Sequence, residues 1–154
     1  MLYPPKNTAL WTWQVRLLTE WDDVRTIGLV VDMWERDSGR RTTHDTSRRL
    51  DALLIRLLRR LEPKDYYLLN DRQRRYLYEE LKGYTVPLVT AILQAVKQVG
   101  DSKAIRYVEP LTQGRGVAAK NGPIQAAAQE CLPVLRARAE LEQWLVACTH
   151  RKSA

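Results

Sequence analysis

Apolar residues recur along this chain at spacings of three and four, the period of one helix face, and the strict alternation of a half-buried strand is absent. The period predicts seven helices. Asn7 or Thr8 caps a first one running to about Thr19, with Leu10, Trp13 and Leu17 as its core stripe. Asp22 or Asp23 starts a second, which runs to Arg36 and breaks at Ser38-Gly39. A polar loop over 42–45 leads to a third helix, capped by Asp45 or Thr46, reaching Leu61 and stopped before Pro63. Asn70, followed three residues on by Gln73, reads as a capping box for a fourth helix over 71–82, ended by Gly83. Thr85 caps a fifth that closes at Gly100, and Asp101 caps a sixth that ends at Gly114. After the loop GRGVAAKNG, Asn121 or Gly122 caps a seventh with Pro123 in its first turn, and Pro133 predicts a kink within it.

Three of these helices carry matching apolar columns. Leu50, Leu88 and Ile124 correspond, as do Leu54/Ile92/Ala128, Leu57/Ala95/Cys131, Leu58/Val96/Leu132 and Leu61/Val99/Leu135, at offsets of 38 and then 36 residues. Within each helix the spacing 0, 4, 7, 8, 11 falls on one face. A second repetition is independent of the first. The stretches WDDVRTIGLVVDM (21–33) and GDSKAIRYVEPL (100–111) spell the same phrase, Asp23/Thr26/Ile27/Val30 in one and Asp101/Ala104/Ile105/Val108 in the other. Each phrase opens the helix just before a column-bearing one, and the two lie 78 residues apart, about two column periods. The chain therefore reads as a run of helix pairs, of which the middle one (71–82 with 86–99) has lost the phrase and kept the column.

A two-helix period of this length resembles the HEAT repeat in its compact bacterial form. The run VGDSKAIRYVEPL followed by IQAAAQECLPVL is similar to that family's pattern. There, Gly-Asp ends one unit, a Lys/Arg-Ala-Ile helix starts the next, and a helix rich in small residues follows. The resemblance covers residues 21–140, most closely 86–138, and departs from the pattern in the long loops at 38–45 and 114–121. It implies an all-α, right-handed α-solenoid of about three HEAT-like helix pairs with an N-terminal capping helix. The whole of 1–154 is then one domain, with units near 8–20, 21–62, 63–100 and 101–150. It implies further a scaffold or adaptor that binds a protein partner. HEAT-like DNA glycosylases make nucleic-acid binding the alternative.

Composition narrows the chemistry. A chain of 154 residues with 45% apolar content has the length and material for one core. No apolar run reaches the ~18–20 residues that span a bilayer. MLYPPKNTALW has neither a basic nor an apolar leader segment, so no signal peptide and no membrane insertion are expected, and a cytoplasmic location is favoured. His44 and His150 lack partners at zinc-ligand spacing, Gly114-Arg115-Gly116 is too short for a phosphate loop, and no nucleophile motif is visible. Cys131 and Cys148 sit at helix-spaced apolar positions, where buried thiols are usual. The expectation is a protein that is not an enzyme and needs no cofactor or metal.

The net charge of +7 is local. Residues 36–75 carry 12 basic and 6 acidic groups, whereas residues 1–35 carry 3 and 5. On a helix with Leu50 at the centre of the core face, Arg49, Arg56 and Arg60 fall together at about 240–280°, a ridge flanking the core stripe. Arg72, Arg75 and Lys82 share one face of the next helix. Such a surface fits an acidic or phosphorylated protein segment, since arginine grips carboxylates and phosphates bidentately. Nucleic acid on the basic surface of 48–75 is the alternative. The ridge columns become Pro87/Gln94/Gln98 and then Pro123/Glu130/Val134, so the basic stripe does not continue as a phosphate-tracking groove would. As exposed charges, all three ridge arginines are expected to be removable without loss of stability. Among the aromatics, Trp11, Trp13, Trp21 and Trp34 crowd the first 34 residues; a terminal unit must cover an open core end, and Trp13, on the stripe, is expected to do so, with Trp11 exposed or packed against sequence outside this chain.

Overall fold

The two repeated phrases fold into the same local motif. Asp23 and Asp101 each sit in extended conformation and accept a hydrogen bond from the backbone two residues on, at Arg25 and Lys103. Each caps a single 3-10 turn, Val24–Thr26 or Ser102–Ala104, that runs straight into an α-helix. Ile27, Val30, Ala104 and Val108 from the phrases are buried. The Arg25 guanidinium beside Asp23 holds its carboxyl down at about 2.

The computed structural model describes residues 8–38, 44–83 and 85–151, without the side chains of Thr8, Ser38, His44, His150 and Arg151. The predicted Asn7 cap, the break at Gly39 and both histidine side chains lie outside that description. Among the described residues there are seven α-helices and no strand: α1 (Thr8–Trp21), α2 (Ile27–Ser38), α3 (His44–Leu58), α4 (Asp71–Glu79), α5 (Val86–Val99), α6 (Ile105–Thr112) and α7 (Gly122–Arg151). The connection between the third and fourth helices is a 3-10 turn over Pro63–Leu68, and the predicted loop after the sixth contains another over Gly116–Lys120. No described helix is long and apolar enough to cross a membrane.

Helix ends follow local chemistry. The Asn70/Gln73 capping box forms in both directions, at 2.9 and 3.0 Å. The buried Gln73 amide also donates to the Gly28 carbonyl and to Asp32, both at 3.0 Å, and so docks α4 on α2. Thr85 precedes α5 without a side-chain capping bond. The kink predicted at Pro133 does not divide α7, which is helical from Gly122 to Arg151. Pro133 lies on the exposed face, where the carbonyl it leaves unbonded can take water instead.

All fifteen residues of the five apolar columns are buried, from Leu50 and Leu54 in α3 to Cys131 and Leu135 in α7. Burial pushes the Cys131 thiol up to about 12. α1 packs on α3, α3 on α5 and α5 on α7, while α2 packs on α3 and α4, α4 on α5, and α6 on α7. Contacts between α1 and α3 advance in step, Thr12 with Thr46, Thr19 with Arg56 and Asp22 with Arg60, so the two helices run the same way. Lys97 with Glu130 and Gly100 with Arg138 give the same direction for α5 and α7.

α1 corrects one sequence expectation. Its inward face is Trp11, Val15 and Leu18, whereas Leu10 and Trp13 are about half exposed and Leu17 is partly covered. The helix is apolar on two sides, so periodicity alone offers two stripes, and only the neighbour α3 decides between them. The inward set lies 39 residues before Leu50, Leu54 and Leu57 and extends those three columns by one helix.

Candidate functional site

α3 exposes the arginine ridge beside its core stripe, as its periodicity requires, yet the three side chains have separate duties. Arg49 pairs with Asp45 one turn back, at 2.9 Å. Arg56 and Arg60 both reach Asp22, at 2.8 and 3.1 Å, and donate to the carbonyls of Thr19 and Asp22. Those carbonyls belong to the C-terminal end of α1, where cations are favoured by the helix dipole. Asp22 itself has φ 47, a left-handed conformation. The ridge is therefore solvent-accessible and at the same time bound to its own chain.

The neighbouring set divides likewise. Arg72 spans Asp32 and Glu35 of α2, at 2.6 Å each, and Arg75 pairs with Glu79 at 3.1 Å. Lys82 differs: its ammonium stands 5.9 Å from the centre of the Tyr107 ring, with no acidic partner among the described residues. Arg106 lies over the same ring at 4.8 Å and donates to the Tyr107 hydroxyl at 2.9 Å. Arg115 joins them from the loop after α6. The glycines on either side of it, Gly114 and Gly116, have φ 67 and 63, and its N–H donates to the Pro110 carbonyl at 3.0 Å. Lys82, Arg106 and Arg115 thus rim a cleft of about 240 Å³ whose floor is Leu81, Tyr107, Leu111 and Val117.

A buried polar cluster fixes the cleft from behind. Tyr107 leans on Tyr78, ring centres 6.0 Å apart. The Tyr78 hydroxyl bridges Asp101, donating to its carboxylate at 3.3 Å and accepting from its backbone N–H at 3.2 Å. Burial raises the Tyr78 phenol well above its ordinary range, so it stays protonated. Arg74, also buried, donates to the carbonyls of Tyr66 and Leu69, pairs with Asp71, and carries the Tyr66 ring 4.1 Å away. Its Nε has no hydrogen-bond partner among the described residues and stands 3.9 Å from Asp101.

Sequence reasoning found Lys82 and missed its companions. Arg106 sits in the repeated phrase and Arg115 in a loop, 24 and 33 positions beyond Lys82, so no helix periodicity links the three. Arg74 was hidden in the same basic run as Arg72 and Arg75. Arg138 was also missed; it donates to the carbonyls of Lys97, Gln98 and Gly100 and closes the end of α5 as Arg56 and Arg60 close the end of α1.

Among the described residues no group of three or more His, Cys, Asp or Glu is arranged to hold a metal ion. No protein-family model, curated protein or solved structure matches the chain.

Proposed function

We propose that this chain is a HEAT-like α-solenoid that binds, without catalysis, an acidic or phosphorylated segment of a protein partner. The solenoid reading is supported by the contact order α1–α3–α5–α7, by the shared buried columns and by the twice-used Asp-capped turn. The observation that carries the binding reading is the convergence of Lys82, Arg106 and Arg115 on one apolar cleft that has no acidic residue in its lining among the described residues. Free cations above an aromatic and aliphatic floor suit a carboxylate or phosphate carried on a side chain with some apolar body. Arg49, Arg56, Arg60, Arg72 and Arg75 are the secondary surface: each already has a carboxylate, which a partner must displace. The same pairing weakens the nucleic-acid reading of 48–75, because phosphate tracking needs unneutralised charge.

Fluorescence anisotropy with a labelled peptide of glutamates and one phosphoserine tests this, with a single-stranded oligonucleotide as competitor class. Lys82→Ala/Arg106→Ala/Arg115→Ala is expected to weaken peptide binding at least about tenfold, and Arg49→Ala, on the secondary surface, by less than about twofold. Unchanged binding in the triple variant would remove the cleft from consideration. Tight oligonucleotide binding with a steep log-linear salt dependence, and no peptide binding, would install the nucleic-acid reading instead.

A further inference from the structure

The flank by which α3 meets the helix before it carries Arg49, Arg56 and Arg60, two of which reach α1. Shifted back by the 39 residues that superimpose the columns, that flank on α1 is Leu10, Leu17 and Trp21. Here the same position is apolar, and α3, the described helix that packs most on α1, lies against the other stripe, that of Val15 and Leu18. Trp13 joins the stripe, and Leu10, Trp13 and Trp21 are 50%, 57% and 62% exposed. α1 thus offers a helix-shaped seat with the chemistry of an interior.

At the other end of the chain stands a helix with the converse problem. Beyond Leu135 no described apolar side chain is buried, yet α7 continues to Arg151, about 24 Å of further helix. Leu141, Trp144, Leu145 and Cys148 fall on one face of this extension by their spacing of 0, 3, 4 and 7. Leu141, Trp144 and Leu145 are each more than half exposed. The extension cannot cover α1 of its own chain, because α3 and α5 lie between α1 and α7 in the packing order.

We propose that the α7 extension of one copy lies along the Leu10/Trp13/Leu17/Trp21 flank of α1 in a second copy, reciprocally, making a two-fold dimer. Residue i of one copy then meets residue j of the other and j meets i, the closed arrangement of a two-fold pair. Area agrees with this occupant. Leu10, Trp13, Trp21, Leu141, Trp144 and Leu145 are each half or more exposed, and together they offer on the order of 600 Å² per copy, the low end of specific interfaces, as suits a concentration-dependent pair.

Sedimentation equilibrium on the full chain, from micromolar to about 100 µM, reads the mass against the 17.9 kDa of one copy. The expected result is a doubled mass, reduced to one copy by Trp144→Glu and, separately, by Trp13→Glu. Both positions are exposed, so circular dichroism of each variant should match the parent. Mixing the two variants is expected to restore dimers at the top of the range, since the intact extension of one then finds the intact α1 of the other. A parent that stays at one copy, a mass that keeps growing with concentration, a dimer that survives either substitution, or a mixture that fails to associate overturns the proposal. The last outcome would instead indicate like-with-like pairing of the two faces.

Discussion

Asp22 sits at φ 47, a conformation aspartate tolerates better than bulkier residues, and Arg56 and Arg60 hold it there while reaching the last carbonyls of α1. These contacts change what a substitution should do. Seen only as exposed charges, the three ridge arginines are interchangeable and removable. Their partners separate them: Arg49 pairs within its own helix, whereas Arg56 and Arg60 join two helices. Arg56→Ala/Arg60→Ala is therefore expected to lower stability by about 1–2 kcal/mol, a charge-assisted hydrogen-bond loss discounted for half-exposed side chains. Arg49→Ala is expected to stay within about 0.5 kcal/mol of the parent. Urea unfolding of the two variants side by side reads the difference. Equal midpoints would mean that the ridge carries no structural duty and that the residue-type expectation was sufficient.

Whole helices were legible wherever one stripe dominated. The third, fifth and seventh helices present a single apolar face, so their columns could be aligned from sequence, and every member is buried. The Asp-capped turns were legible because a cap is a local event, decided within two or three residues. α1 was misread for want of a dominant stripe, and the pairing of the basic surface was invisible for a different reason. Arg72 finds Asp32 and Glu35 forty and thirty-seven positions away, a distance that only packing can close. The cleft has the same origin, since α4's end, α6 and a glycine-flanked loop meet only in the fold. At this scale the columns supply the sharpest check. Leu57 and Ile92 are wholly buried on α3 and α5, so Leu57→Ala or Ile92→Ala should cost about 2–5 kcal/mol in lost transfer energy and residual cavity. Losses below about 0.5 kcal/mol at both, measured by chemical denaturation, would contradict the packing of those two helices.

Across the whole molecule, burial is graded along the order of packing rather than along the sequence. α5 lies between α3 and α7 and buries Leu88, Val89, Ala91, Ile92, Leu93, Ala95, Val96 and Val99, more than half of its fourteen residues. The two ends are the reverse: α1 covers one stripe and leaves another bare, and α7 beyond Leu135 buries no apolar side chain. Local opening needs only the contacts of the segment that opens, so this gradient should reappear in backbone hydrogen exchange. At a dilution where the chain is a single copy, amides of α5 are expected to exchange slowest, near the limit set by global unfolding. Amides of residues 139–149 are expected to exchange fastest among the helical ones, since their opening exposes no core. Raising the concentration should slow the extension and the outer face of α1 together, and leave α5 and the cleft loop at 114–117 where they were. Protection of the extension equal to that of α5 at high dilution would show that this segment is held within its own copy, contrary to the packing order described above.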